Sequence, residues 1–219
     1  INLNKDGTTG DGIYRARTGE KVQSATGLEN LFLGMPAFSP DGALLAYTTI
    51  PSPGTLSIFD YDQSGPKVSN SRALVSPGSD PALQHISWPT LTPDHKWVVY
   101  VRSDRLQDYG NRYPAALYIA STTDPGVEMR LSNLNGDSYP FAEGATDRLC
   151  SYEPTFAPIA AGGYFWLVFT SRRTYGSVLQ YGADPDAIQQ LWVAAIDQNP
   201  TAGKDPSHPG FWLSGQEPK

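Results

Sequence analysis

The stretch MPAFSPDGALLAYTT, Met35–Thr49, holds two short apolar runs on either side of a Ser-Pro-Asp-Gly turn. In that turn Pro40 pre-sets its own φ, Asp41 can bond the local backbone, and Gly42 can take a positive φ at no steric cost. The stretch therefore predicts two antiparallel strands, a and b, joined by a tight turn.

The same arrangement recurs twice along the chain, in WPTLTPDHKWVVYVRS from Trp88 and in EPTFAPIAAGGYFWLVFTSRR from Glu153. The three copies align on Pro36, Pro89 and Pro154. The second copy places His95 where the first has Gly42, a less comfortable residue for a positive φ. The third copy carries extra turn residues. The hairpin is therefore one instance of an internal repeat.

Two more apolar runs follow each hairpin. GTLSIFDYD, AALYIASTT and QQLWVAAID alternate with a period of two, and RALVS, MRLSN and FWLSG close the units. Each unit thus predicts four antiparallel strands, a to d. We predict an all-β fold, a β-propeller with complete blades at 34–76, 86–132 and 151–214 and a half blade at 12–27. A β-sandwich is the alternative architecture.

The repeats resemble those of the WD40-like, TolB-type β-propellers. PAFSPDGALLAYTT followed by LSIFD matches that pattern closely, and the other two copies depart from it at the a–b turn. The resemblance extends from Gly12 to Leu213. It implies a propeller fold and export to a bacterial periplasm or cell surface, but this fold serves proteins of many kinds.

Closed propellers have four or more blades, and the repeats here supply three and a half. An open arc would leave a sheet edge and inner strands exposed. We therefore expect the stretch to belong to a larger propeller, completed by further sequence or by another chain.

The composition excludes some functions. The net charge is -6 and the isoelectric point is near 5.0, which argues against nucleic acid as the main partner. No apolar run reaches the roughly 18 residues of a membrane span. The single cysteine, Cys150, cannot form an internal disulfide; we expect a quiet, partly buried thiol, or pairing with a cysteine outside this stretch.

Loop length indicates where a site would lie. The b–c and d–a connections are long and fall on one face of a propeller, here called the long-loop face. Arginine and tyrosine, which are favoured at protein contacts, are common in these loops. The candidate partner-binding residues are Arg102, Arg105, Tyr109, Arg112, Tyr113, Arg172, Arg173, Tyr175 and Tyr181. Alternatively, these arginines pair with loop aspartates and only order the loops, the aspartates being Asp104, Asp108, Asp184 and Asp186.

Motifs for catalysis and cofactors are missing from the sequence. No Gly-x-Ser-x-Gly elbow occurs, and His85, His95 and His208 fall in separate loops and turns, so no catalytic residue, metal or cofactor is predicted. The loop with Asn2, Asn4 and Asp6 partly matches a calcium-binding loop, so calcium is an alternative ligand there. Its twelfth position is isoleucine where glutamate is needed, which favours a polar turn or tail.

The leading functional hypothesis is a non-catalytic binding or scaffolding propeller. It would hold a protein partner, or a polymer of the cell envelope, on the long-loop face. The first alternative is a propeller domain of an enzyme that acts on carbohydrate or peptide, with catalytic residues partly in missing blades. The second is an accessory subunit of a larger complex.

Overall fold

The computed structural model describes residues 13–24, 33–50, 53–65, 67–105, 113–138, 149–173 and 189–216. Its strands form three sheets, and the helix α1 (Ser132–Asn135) is a single turn. Among the described residues, no helix has the length and apolar character needed to cross a membrane.

Each sheet contains a blade of four sequential antiparallel strands, which confirms the predicted all-β propeller architecture. A short strand, β1 (Gln23–Ser24), precedes them. Blade 1 contains β2 (Leu33–Phe38), β3 (Leu44–Thr49), β4 (Leu56–Asp62) and β5 (Lys67–Val75). Blade 2 contains β6 (His85–Leu91), β7 (Trp97–Ser103), β8 (Ala115–Ser121) and β9 (Glu128–Arg130). Blade 3 contains β10 (Ser151–Phe156), β11 (Tyr164–Ser171), β12 (Gln190–Asp197) and β13 (Phe211–Trp212).

The blades follow one another through their first strands. Strand β2 lies beside β6, and β6 lies beside β10, so the three a strands are the innermost elements. Adjacent blades pack face to face because apolar side chains alternate along each strand. One core lies between blades 1 and 2 and includes Leu44, Leu56, Ile58, Val98 and Tyr100. A second lies between blades 2 and 3 and includes Val99, Leu117, Ile119, Leu167 and Phe169.

Each innermost strand contains a bulge directly before its repeated proline. Met35, Trp88 and Glu153 have φ angles of 45°, 49° and 49°, and the strand pairing shifts at all three places. A side chain in this left-handed region costs about 1–2 kcal/mol. The same conformation at three equivalent positions is therefore a property of the repeat, and the proline in the sequence marks it.

The a–b turns have the local chemistry expected from their residues. Asp41 accepts hydrogen bonds from the Ser39 hydroxyl at 2.6 Å and from the Ala43 N–H at 3.1 Å. Gly42 has a φ of 71°, and His95, at the equivalent position of blade 2, has a φ of 51°. The histidine thus adopts the strained conformation that its place in the repeat requires.

The described part of the predicted half blade, residues 13–24, is a hairpin that joins blade 1. The Val22 N–H donates to the Ile13 carbonyl at 2.8 Å, and β1 pairs in parallel with the start of β5. Ile13 and Val22 cover one face of blade 1, where they pack against Leu45, Tyr47, Phe59 and Val68. We call residues 13–24 the cap.

Candidate functional site

Arg102, a predicted binding residue, is buried at the end of β7. Its guanidinium makes a two-pronged ion pair with Glu128, in which Nη2 lies 3.0 Å from Oε2 and Nε contacts Oε1. Nη2 also donates to the Ser76 carbonyl at 3.0 Å. Burial disfavours the arginine's charge and is the largest single effect, but hydrogen bonds and charge interactions with Glu128 and Tyr100 together outweigh it and raise the pKa of Arg102. Arg102 therefore ties the d–a loop of blade 1 to the strands of blade 2.

The partner of this arginine, Glu128, was not among the predicted residues. It begins β9 and also accepts a hydrogen bond from the Tyr100 hydroxyl. Burial raises the pKa of Tyr100 well above its usual value, with a further contribution from the Glu128 charge, so the phenol stays a neutral donor. The contact between Arg102 and Glu128 could not be predicted from the sequence, because the b–c loop and the strand β8 separate the two residues along the chain.

Arg173 makes comparable contacts in blade 3, two residues beyond Ser171, which is the residue equivalent to Arg102. Its guanidinium donates to the Leu134 carbonyl at 2.8 Å, to the Ser151 hydroxyl at 2.7 Å and to the Ser171 hydroxyl at 3.0 Å. It also lies over the ring of Trp192, 5.0 Å from the centroid. The side chain is buried and connects the end of β11 to α1, which follows the last strand of blade 2.

Arg172, beside it, is also buried. Its Nη2 donates to the Tyr152 hydroxyl at 3.1 Å, and that hydroxyl donates to the Tyr113 carbonyl at 2.8 Å. This chain of bonds links β10 and β11 to the loop that precedes β8. Burial raises the pKa of Tyr152, with Cys150 adding to the effect.

Arg105 and Tyr113 are the accessible pair among the described candidates. The guanidinium carbon of Arg105 lies 3.8 Å from the centroid of the Tyr113 ring, and its Nε lies 3.6 Å from Asp104. The arginine side chain is 56% exposed. Stacked in this way, the two side chains present a cation and an aromatic ring at the base of the blade 2 b–c loop.

The nine candidates therefore differ in their surroundings. Three of them are buried and hold the loop ends through hydrogen bonds, namely Arg102, Arg172 and Arg173. Two others reach the surface, namely Arg105 and Tyr113. The remaining candidates Tyr109, Arg112, Tyr175 and Tyr181, and the calcium option Asn2, Asn4 and Asp6, lie outside the described residues. Of the alternative aspartate partners, Asp104 contacts Arg105, and Asp108, Asp184 and Asp186 also lie outside the described residues.

A cleft of ≈ 680 Å³ runs along the outer rim between blades 1 and 2, a feature without any sequence signal. Its walls are the end of β5, the following d–a loop, and the side chains of Tyr118 and Glu128. Arg102 lies at its floor, where its charge is already matched by Glu128.

Two of the three histidines, His95 and His208, lie beside aspartates. His95 Nδ1 lies 2.6 Å from Asp41 across the blade 1–blade 2 boundary, and His208 Nε2 lies 2.9 Å from Asp197 within blade 3. Over the described ranges, no group of three or more His, Cys, Asp or Glu side chains is placed to hold a metal ion.

Comparison with known proteins finds similarity among solved structures. No family model matches the chain, and no curated protein matches it. Solved structures similar to it include a TolB from Agrobacterium tumefaciens (21% identity, TM-score 0.45, 81% of this chain and 47% of that one). Another is Zg3597, a family 117 glycoside hydrolase of Zobellia galactanivorans (12%, 0.44, 76% and 52%). A third is an α-L-arabinofuranosidase from Lactobacillus brevis (11%, 0.43, 81% and 56%).

These three structural neighbours are β-propeller proteins. The chain spans about half the length of each of them.

Proposed function

We propose that the chain is a non-catalytic binding and scaffolding part of a β-propeller, and that it holds a protein partner on its long-loop face. The proposal rests on the difference between the buried arginines, which hold the loops, and the exposed Arg105. Arg102 and Arg173 fix the long loops to the blade ends, and Arg105, stacked on the half-buried Tyr113, is exposed to solvent.

This arrangement suits recognition for a physical reason. Binding costs free energy for every side chain and loop that must become ordered, so a braced loop base lowers that cost. Tyrosine and arginine are also the residue types most often responsible for binding energy at protein interfaces. An envelope polymer is the other ligand class that this surface fits, and the resemblance to TolB-type repeats supports a bacterial periplasmic or cell-surface location.

A photo-crosslinking experiment tests the face. A benzoylphenylalanine replaces Tyr113 in one sample and Ile159, an exposed residue of the blade 3 a–b turn on the opposite face, in the other. We expect a discrete protein adduct from position 113 and none from position 159. Equal adducts from both positions would contradict the proposal.

A substitution then measures the contribution of the stack. The R105A/Y113A variant is expected to bind the crosslinked partner at least about tenfold more weakly, as for a hot-spot pair. The matched control is R72A, which removes an arginine whose partner is Asp60 on the outer strands of blade 1. Unchanged affinity in R105A/Y113A, or turnover in a panel of glycans and peptides, would refute a non-catalytic binding face.

A further inference from the structure

The outward face of blade 3 repeats the pattern of a buried blade interface. In blade 2 the side chains that face blade 3 include Trp97, Val99, Leu117, Ile119 and Met129. The strand registers of the two blades match, since Val99 pairs with Ile119 as Val168 pairs with Val193. The equivalent residues of blade 3, here called the free face, are Trp166, Val168, Leu191, Val193 and Phe211.

Accessibility differs sharply between these equivalent positions. Leu117 is fully buried and Met129 is 7% exposed, whereas Leu191 and Phe211 are 39% and 49% exposed. Trp166 and Phe211 contact each other edge to face on this surface, at 6.4 Å between ring centroids. An apolar face of this composition, in the register of an internal interface, is what a neighbouring sheet covers in the rest of the molecule.

The innermost strands show what a neighbour would supply. The N–H of Trp88 in blade 2 donates to the Met35 sulfur of blade 1 at 3.2 Å. The N–H of Phe156 in blade 3 lies 3.5 Å from the Thr90 hydroxyl of blade 2. In each pair, an acceptor at or just after the bulge of one blade meets a backbone donor of the next.

Blade 3 carries acceptors at both of these positions. Glu153 is the equivalent of Met35, and Thr155, which is exposed, is the equivalent of Thr90. The Thr170 hydroxyl donates to Glu153 at 3.1 Å, which places the carboxylate on the free face because Thr170 alternates with the inward Phe169 and Ser171. A carboxylate here is a stronger acceptor for a backbone N–H than the thioether of Met35.

We propose that the free face is the docking surface for a further four-stranded blade of this repeat, whose innermost strand donates backbone N–H groups to Glu153 and Thr155. A second copy of this chain is a poorer occupant. The matching rear face of its blade 1 is already covered by Ile13 and Val22 of the cap, which blocks the head-to-tail contact.

The probe for this surface is a copy of blade 3, because blade 3 is the sheet that packs on the closely similar face of blade 2. Residues 136–216 are joined a second time after Lys219, in a C150S background. Leu191→Cys in the first copy reports accessibility through its rate of reaction with a maleimide. Ile159→Cys, on the a–b turn, is the control that stays reactive.

We expect the appended blade to slow the labelling of L191C by at least about tenfold, and E153Q/T155V in the first copy to reverse much of that protection. The tenfold change in labelling rate is the size expected when two hydrogen bonds between the blades are made or lost. The same E153Q/T155V change in the chain without the appended blade leaves the L191C rate unchanged.

Three results would overturn the proposal. The first is equal protection by an appended blade whose rear face carries L167K/F169K, since those residues face blade 2 in the native arrangement. The second is no protection by this blade and none by an appended blade 2 (residues 76–132), which guards against misfolding of one probe. The third is a dimer of the unfused chain, by sedimentation velocity, in which L191C is already protected.

Discussion

The outer faces of the two terminal blades, blade 1 and blade 3, differ in how they are covered. The rear face of blade 1 is closed by the cap, whose Ile13 and Val22 seal Tyr47, Phe59 and their neighbours from water. The free face of blade 3 presents equally apolar residues, but Leu191 and Phe211 stay partly exposed. Repeat proteins need a polar outer surface on a terminal unit, and the cap provides it with Arg15, Arg17 and Glu20. Sequence repetition therefore does not make the ends of an array equivalent.

The largest expected contrast is between aromatic residues on these two faces. Tyr47 is buried, stacks on Phe59 at 4.7 Å between ring centroids, and its hydroxyl lies 3.0 Å from that of Ser71. Tyr47→Ala should lower the free energy of unfolding by about 3–5 kcal/mol, as for other large buried aromatics. Phe211→Ala, on the free face, should cost less than about 1 kcal/mol. Urea unfolding of both variants checks this, and equal costs would mean that the two faces are alike in solution.

A second variant tests the cap itself. Ile13 is buried against blade 1, so Ile13→Ala should cost about 2 kcal/mol and increase the binding of an apolar dye as the rear face opens. Arg17, exposed on the same hairpin, is the control, and Arg17→Ala should leave both measurements unchanged. A silent I13A variant would show that the hairpin does not seal blade 1.

The repeat made most of this architecture predictable, because its signals are local. The Pro-Asp-Gly turn and the alternation in runs such as LSIFD act over a few residues, so four strands per blade followed directly. The cap did not, since the parallel pairing of β1 with β5 is a two-residue tertiary contact. The same limit applies to the arginines. Arg102 and Arg173 read as loop residues, and only folding brings Glu128 and the Leu134 carbonyl to them.

The third prediction compares the same turn in two blades. Gly42→Ala should cost about 1–2 kcal/mol because φ is 71°, and the new methyl group would also meet the Gln63 side chain at 2.8 Å. His95→Gly relieves strain at a φ of 51° but frees the unfolded chain and removes the contact with Asp41. These effects oppose each other, so H95G should stay within about 0.5 kcal/mol of the parent. Thermal unfolding distinguishes the two, and a large stabilisation by H95G would show that the strain outweighs the contact.

The smallest expected effect concerns the contact between Asp41 and His95 across the blade 1–blade 2 boundary. The free face of blade 3 has no described neighbouring blade with which to form such a contact. Burial alone would raise the pKa of Asp41, but the Ser39 hydroxyl, the Ala43 N–H and the nearby His95 together hold it below its ordinary value of 3.8. A lowered pKa in the folded state stabilises the protein above about pH 4, and this contribution disappears as the pH falls through the folded-state pKa.

Asp41→Asn keeps an acceptor oxygen and removes the charge, so the difference in unfolding free energy between parent and D41N should be under about 1 kcal/mol at pH 6, because the pair is partly exposed and screened by water. The difference should shrink toward zero below pH 4. Urea titrations at pH 6 and pH 3 measure it, with Asp124→Asn in the exposed c–d turn of blade 2 as the control. A D41N effect that persists at pH 3 would assign the contribution of Asp41 to its hydrogen-bond geometry and not to its charge.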